Sequence, residues 1–177
     1  MVTAKIAIYE QGTLPESLVW QSLSFMRCEW PSLFAGDGRL RSQPFPASIH
    51  LACADGSVLL SYAEIIETSA LRAGRQIRVA GLSNVFTFPP YRREGHASEM
   101  VRAANSLIDE RNPEMAILFC KDELVPFYAA LGWTAAPAGT ITCAADIPQA
   151  MVRQPAMGGT GLVASLLRAP VVVATAW

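Results

Sequence analysis

Between Gln76 and Cys120 a strand, a turn, a helix and a second strand follow in that order, and this run constrains the fold more than any other part of the chain. Gln76–Phe88 has the apolar and β-branched pattern of a strand. Pro89-Pro90 ends it, because proline has no amide to donate to a ladder. A helix is predicted over His96–Arg111, where Met100, Val101, Ala104, Leu107 and Ile108 recur on one face, and Pro113 closes it. Met115–Cys120 is short and apolar throughout. A strand–helix–strand crossover pairs its two strands in parallel.

The rest of the chain reads around that unit. Lys5–Tyr9 is predicted as a first strand. Leu14-Pro15-Glu16 opens a helix with Thr13 as its cap. Ser48–Cys53, the turn Ala54-Asp55-Gly56 and Ser57–Ser69 form a hairpin, which Ala73-Gly74 turns into Gln76–Phe88 as an antiparallel meander. Leu124–Leu131 is a short helix stopped by Gly132. Gly139–Cys143 is open as a strand, and Ala169–Trp177 is predicted as the last one. Pro31–Pro46 reads as a loop, and Pro148–Thr160, with its prolines and glycines, as a long loop or lid. The 177 residues fit a single domain, 1–177. The expected class is α+β (mixed α/β): a mostly antiparallel central sheet with one parallel pair, flanked by helices.

Composition removes several functions. With 51% apolar and 16% charged residues, the chain has enough core to order itself. A net charge of −1 gives no general grip on nucleic acid or an anionic membrane. No apolar run reaches the roughly 20 residues a membrane span needs, and Met1–Glu10 alternates rather than forming a leader block. The expected place is the cytoplasm. Cys28, Cys53, Cys120 and Cys143 form no close pair, so they read as buried free thiols. His50 and His96 alone cannot build a histidine-rich metal site, and no metal is expected.

Two segments carry chemistry. Arg92-Arg93-Glu94-Gly95-His96-Ala97 lies where the strand hands over to the helix. Free amides at a helix start attract anions, Gly95 can take positive φ, and arginines fork onto phosphate. Read alone, the same segment is also an ordinary strand–helix turn with solvated arginines. Its single glycine matches neither the nucleotide loop nor the dinucleotide fingerprint. In Val125-Pro126-Phe127-Tyr128-Ala129-Ala130-Leu131-Gly132-Trp133, Tyr128 is either a core tyrosine or a general acid beside a leaving group.

Together the segments resemble the GCN5-related N-acetyltransferase superfamily. Arg92–Ala97 is similar to its R/Q-x-x-G-x-G/A acetyl-CoA motif, and Phe127–Trp133 to its FY-x-x-LG-F/W motif, in the right order with a helix and strand between. Ile117–Cys120 followed by Val125–Tyr128 is similar to members near the aminoglycoside N-acetyltransferases. The resemblance implies an N-acetyltransferase with acetyl-CoA as donor and a small-molecule primary amine attacking the thioester directly. It implies that Val85, Phe86 and Thr87 pair with the pantetheine arm, with an amide there polarising the thioester carbonyl. It further implies that Arg92, Arg93, Glu94, Gly95, His96 and Ala97 hold the pyrophosphate, and that Tyr128 protonates the departing thiolate.

The chain departs from that pattern in one place. Many relatives carry a glutamate on the strand before the acetyl-CoA loop, and Ile77–Phe88 has no carboxylate. Glu64 and Glu67 on the preceding strand are the nearest candidates for the base, against the plainer reading that both are partners of Arg75 or Arg78. The terminal carboxylate of Trp177, or a water on Ser83 and Asn84, are the alternatives. Cys120 reads as core. A non-catalytic acyl-CoA sensor is the rival function. Pro31–Pro46 and Pro148–Gly161, with Phe34, Phe45, Met151 and Met157, are expected to frame the acceptor pocket. The final strand either completes the sheet or pairs with a second subunit as a homodimer.

Overall fold

A computed structural model describes residues 4–34, 48–143, 149–155 and 166–174. Along the chain run β1 (Lys5–Tyr9), α1 (Glu16–Glu29), β2 (Ser48–Asp55), β3 (Val58–Arg72), β4 (Arg75–Thr87), α2 (His96–Arg111), β5 (Met115–Cys120), α3 (Val125–Ala129), β6 (Thr134–Ala135), β7 (Ile141–Thr142), β8 (Gln149–Arg153) and β9 (Val171–Val173). The hydrogen-bonded order is β1-β2-β3-β4-β5-β8-β6, and β9 pairs with β3 and β7. The expected parallel pair is β4–β5, in register from Val79–Met115 to Leu82–Leu118. The short β7–β9 pairing is also parallel.

The chain divides into two compact units, each with its own core. The first comprises Met1–Glu64 and Asn84–Val101. Leu18, Phe25 and Met26 of α1 meet Ala52, Leu59, Tyr62 and Phe86 there. Spacing of seven and eight residues puts those α1 side chains on one stripe. Gln21 ties the helix down: its Nε2 donates to the Ser57 carbonyl at 2.7 Å, and its Oε1 accepts from the Leu59 amide at 2.9 Å. The second unit comprises Ile65–Ser83 and Arg102–Trp177. Its core takes every second residue of its strands, among them Ile77 and Val79, Met115 and Ile117, and Val171 and Val173. Met115–Leu118 is buried on both faces, as a parallel central strand requires.

The structure corrects three local expectations. Thr13 does not cap α1: its Oγ1 donates to the Glu10 carbonyl at 2.8 Å, and Pro15, with no side chain to offer, precedes the helix. The hairpin turn is shorter than Ala54-Asp55-Gly56, because β2 runs on through Asp55. Most of the described part of the expected lid is strand: β8 pairs antiparallel with β5 from Ala116–Arg153 to Cys120–Gln149. Ala150, Met151 and Val152 are all buried, so they show no alternation for a period-based reading to find. Phe45, Met157, Trp177 and the remaining lid residues lie outside the described set.

Glu114 shows how the second unit handles charge. Its carboxylate accepts from the Arg78 amide at 2.8 Å and from Arg75 Nη2 at 2.5 Å. The Arg78 amide first, then Arg75, hold its pKa below the ordinary 4.5. A depressed carboxyl stabilises the fold above its ordinary pKa and loses that stabilisation as pH falls through the folded value. Glu114→Gln should therefore lower the melting temperature slightly at neutral pH, by roughly half a kcal/mol in stability because exposed pairs are screened. The two proteins should converge in thermal melts at acid pH. A deficit that persists undiminished in acid would assign Glu114 a packing role instead.

Candidate functional site

In the first unit β4 is broken one residue before the expected pantetheine positions. Asn84 adopts φ 51 inside the strand, a left-handed residue of the kind that opens a bulge. Its Nδ2 donates to Glu64 Oε2 at 2.5 Å, with both residues buried. Glu64 thus holds the break in place. The next carbonyls are also engaged. Ser61 Oγ donates to the Phe86 carbonyl at 2.7 Å, and Arg92 Nε donates to the Thr87 carbonyl at 3.0 Å. The Phe86 ring stacks on Phe25 with centroids 4.1 Å apart, so it is core, while Val85 stays half-buried.

The loop after Pro89-Pro90 carries two left-handed residues, Arg93 at φ 68 and Gly95 at φ 89. The Gly95 carbonyl accepts from the Glu99 amide at 3.1 Å, starting α2. Arg92 and Arg93 form a turn, and among the described residues the amides of Gly95, His96, Ala97 and Ser98 have no backbone acceptor. These are the orphan amides of a helix start. A Cβ built on Gly95 would meet nothing within 4 Å. What requires glycine is its backbone angle, and the space in front is open to a ligand. The Arg92 side chain is exposed and anchored at Nε, which leaves its terminal nitrogens toward solvent. A doubly charged phosphate group fits this chemistry: a row of donors, the positive end of a 16-residue helix and two arginines. These residues thus fit the pyrophosphate of the coenzyme A that the sequence resemblance implies.

Glu94 and His96 play a further part. Glu94 Oε2 lies 3.3 Å from His96 Nε2, and His96 Nδ1 lies 3.9 Å from Cys53 Sγ. The separation of 43 positions from Cys53 to His96 hid that contact from sequence reading. Burial, with Glu99 adding, pushes the Cys53 thiol up, so it stays protonated and inert rather than acting as a nucleophile.

In the second unit, Tyr128 is fixed by the end of its helix. The Trp133 amide donates to the Tyr128 carbonyl at 3.1 Å and the Gly132 amide to the Ala129 carbonyl at 3.1 Å, with Gly132 at φ 87. That is the two-bond closure which demands a left-handed residue, normally glycine. Trp133 is buried and donates Nε1 to Asn105 Oδ1 at 3.1 Å, while Asn105 Nδ2 reaches the Leu131 carbonyl at 2.9 Å. The FY-x-x-LG-W pattern is therefore a clamp on α2. The Tyr128 ring is buried, yet its hydroxyl has no hydrogen-bond partner among the described residues. Burial, and then the neighbouring Cys120 thiol, push the hydroxyl well above its ordinary pKa. Cys120 is itself a buried thiol raised by desolvation.

The two carboxylates part company. Glu64 is buried against Asn84 in the first unit. Glu67 is exposed on β3 in the second, 3.5 Å from Arg111, while the Arg75 side chain goes to Glu114 and the Arg78 side chain donates to the Asn112 carbonyl. Ser83 Oγ is buried and has no hydrogen-bond partner among the described residues. Sequence reading missed Ser61 and the pair His50–Tyr62, joined Nδ1 to Oη at 2.6 Å. Two strands of one hairpin, with these residues 12 apart, were the available signal. Among the described residues there is no cluster able to hold a metal and no helix long and apolar enough to cross a membrane.

Solved structures share this fold. Escherichia coli ElaA superimposes with a TM-score of 0.64 at 14% identity, covering 86% of this chain and 100% of that one. The GNAT family N-acetyltransferase YhbS from Escherichia coli, solved in complex with CoA, gives 0.60 at 14%, covering 96% and 90%. An acyl-CoA N-acyltransferase from Pseudomonas aeruginosa gives 0.57 at 13%, covering 85% and 99%. No curated protein sequence matches the chain. The family model described as an acetyltransferase (GNAT) domain matches residues 21–136. That match takes in more than half of the sequence, the Arg92–Ala97 loop and the Tyr128 helix included, and this chain belongs to the GCN5-related N-acetyltransferase family.

Proposed function

We infer that this chain is an acyl-CoA-dependent N-acyltransferase that uses acetyl-CoA as donor and acetylates a primary amine of a small molecule. The observation that carries the reading is the run of uncommitted amides from Gly95 to Ser98 at the start of α2, behind Arg92 and Arg93. The family description supports acetyl as the transferred group, and a CoA complex of a structural relative supports the carrier. Four free cysteines agree with a cytoplasmic protein.

Acetyl-CoA supplies the thioester. Arg92 through Ala97 hold its pyrophosphate, and Val85, Phe86 and Thr87 offer backbone to the pantetheine arm. Glu64 acts through Asn84: by holding the left-handed break it sets where the Val85 and Phe86 amides point. An amide fixed before the reaction stabilises developing negative charge without reorganising. Tyr128, kept protonated by burial, gives its proton to the sulfur. Glu67, engaged by Arg111, has a structural part.

Thiol release from acetyl-CoA, followed against a panel of small amines, tests this reading. Release that depends on the amine is expected. Arg92→Ala should raise the KM for acetyl-CoA about tenfold, the lower end for a charged hydrogen bond because the side chain is exposed. An unchanged KM would sink the pyrophosphate assignment. Tight binding with no release against any amine would favour an acyl-CoA sensor.

A further inference from the structure

Thr87, at the end of β4, is oriented by its two neighbours in the first unit. The Phe88 amide donates to the Leu60 carbonyl of β3 at 2.9 Å. Ser61 Oγ, also from β3, donates to the Phe86 carbonyl at 2.7 Å. No described peptide bond is cis, and in a planar trans unit the N–H and C=O point in opposite directions. The Thr87 N–H, opposite the Phe86 carbonyl, therefore points away from β3. So does the Thr87 carbonyl, opposite the Phe88 N–H. Arg92 Nε takes that carbonyl at 3.0 Å. On this side of β4 the described pairing with β5 ends at Leu82–Leu118, so among the described residues no strand takes the Thr87 N–H. The edge offers an incoming carbonyl oxygen one fixed donor.

A pair of hydroxyls stands behind that donor. Ser61 and Thr87 are both buried, and their Oγ and Oγ1 lie 3.0 Å apart. A serine has a single hydroxyl proton, and the Phe86 carbonyl receives it. Thr87 Oγ1 is thus the donor to Ser61 Oγ. Donation runs one way, from Thr87 to Ser61 to the Phe86 carbonyl, and such chains strengthen each link. The last link is the peptide unit whose other end is the Thr87 N–H.

We propose that Ser61 is a positioning residue for acyl transfer: it holds and polarises the Phe86–Thr87 peptide, so that the Thr87 N–H meets the negative charge developing on the thioester oxygen. The proposal rests on the acyltransferase reading above and adds to it a β3 side chain that neither motif contains. Drawing electron density to the peptide oxygen strengthens the N–H as a donor. A donor fixed beforehand stabilises the charge without reorganising. The Ser61 proton stays on its own oxygen, so the residue adds nothing to the proton balance of the reaction.

The test compares wild type with Ser61→Ala and Thr87→Val. Ser61→Ala should lower kcat about tenfold, short of the 10²–10³ lost when an oxyanion donor is removed outright. The KM for acetyl-CoA should stay within about twofold, as expected when the lost interaction acts in the transition state. Thr87→Val keeps the shape and removes only the first link, so kcat should fall about threefold. Infrared spectra of carbonyl-labelled acetyl-CoA, bound without amine, give a readout that a purely structural role would not move. The thioester carbonyl band should shift to higher frequency in Ser61→Ala as donation to its oxygen weakens. Should the alanine variant fail to fold, Thr87→Val carries both measurements in the same direction. An unchanged kcat, a loss confined to KM or an unmoved band would overturn the proposal and leave the acyltransferase reading standing. If wild type does not bind acetyl-CoA, both fall.

Discussion

Tyr128→Phe should lower kcat about 10²–10⁴-fold while leaving acetyl-CoA affinity and thermal stability close to wild type. The ring is 7% exposed and its hydroxyl makes no hydrogen bond among the described residues. Phenylalanine fills the same space, so removing the oxygen breaks no contact and strands no partner. What is removed is a proton. Burial disfavours the phenolate and raises the pKa, so the group stays protonated throughout the neutral range. A loss of kcat with rising pH due to Tyr128 should therefore not appear below the ordinary phenol pKa of about 10. The measurement is kcat from thiol release beside a calorimetric affinity for each protein. An unchanged kcat would remove Tyr128 from the chemistry.

Trp133→Ala should be the most destabilising single change in the second unit. The side chain is 2% exposed, and truncating a buried tryptophan costs about 3–5 kcal/mol. The loss also orphans Asn105 Oδ1, which Trp133 Nε1 satisfies at 3.1 Å. Asn105 simultaneously holds the Leu131 carbonyl, so the turn that fixes Tyr128 loosens with it. A drop of about 10 °C in melting temperature follows from the usual scaling for a chain of this size. Trp133→Phe, which keeps most of the bulk and loses the hydrogen bond, should cost about 1 kcal/mol. If the alanine variant melted within a degree or two of wild type, the clamp would not be what positions the tyrosine helix.

What the sequence could and could not reveal follows from the range of the interactions involved. His96–Arg111 and Met115–Cys120 were legible to the residue. A 3.6-residue period, a closing proline and an unbroken apolar run are local signals. Strand β8 was not legible, because its middle residues Ala150, Met151 and Val152 are all buried and show no alternation. Thr13 sits where a cap belongs, but it bonds backward to Glu10. The Arg92–Ala97 loop could be located by motif, yet in it Arg93 takes φ 68, which arginine rarely does and no pattern announces. Asn84 is similar: its left-handed angle inside a strand is held by Glu64, 20 residues away. The same distance effect hid His50 against Tyr62 and Cys53 against His96. Local grammar identified the family's two motifs, and pairing across strands assembled everything around them.

Calorimetric titration of the purified protein with acetyl-CoA tests the central claim most directly. Saturable binding in the micromolar range, weakened by Arg92→Ala, is the expected result. Absence of binding at millimolar acetyl-CoA would contradict the account, and the amides from Gly95 to Ser98 would then be no more than an ordinary helix start.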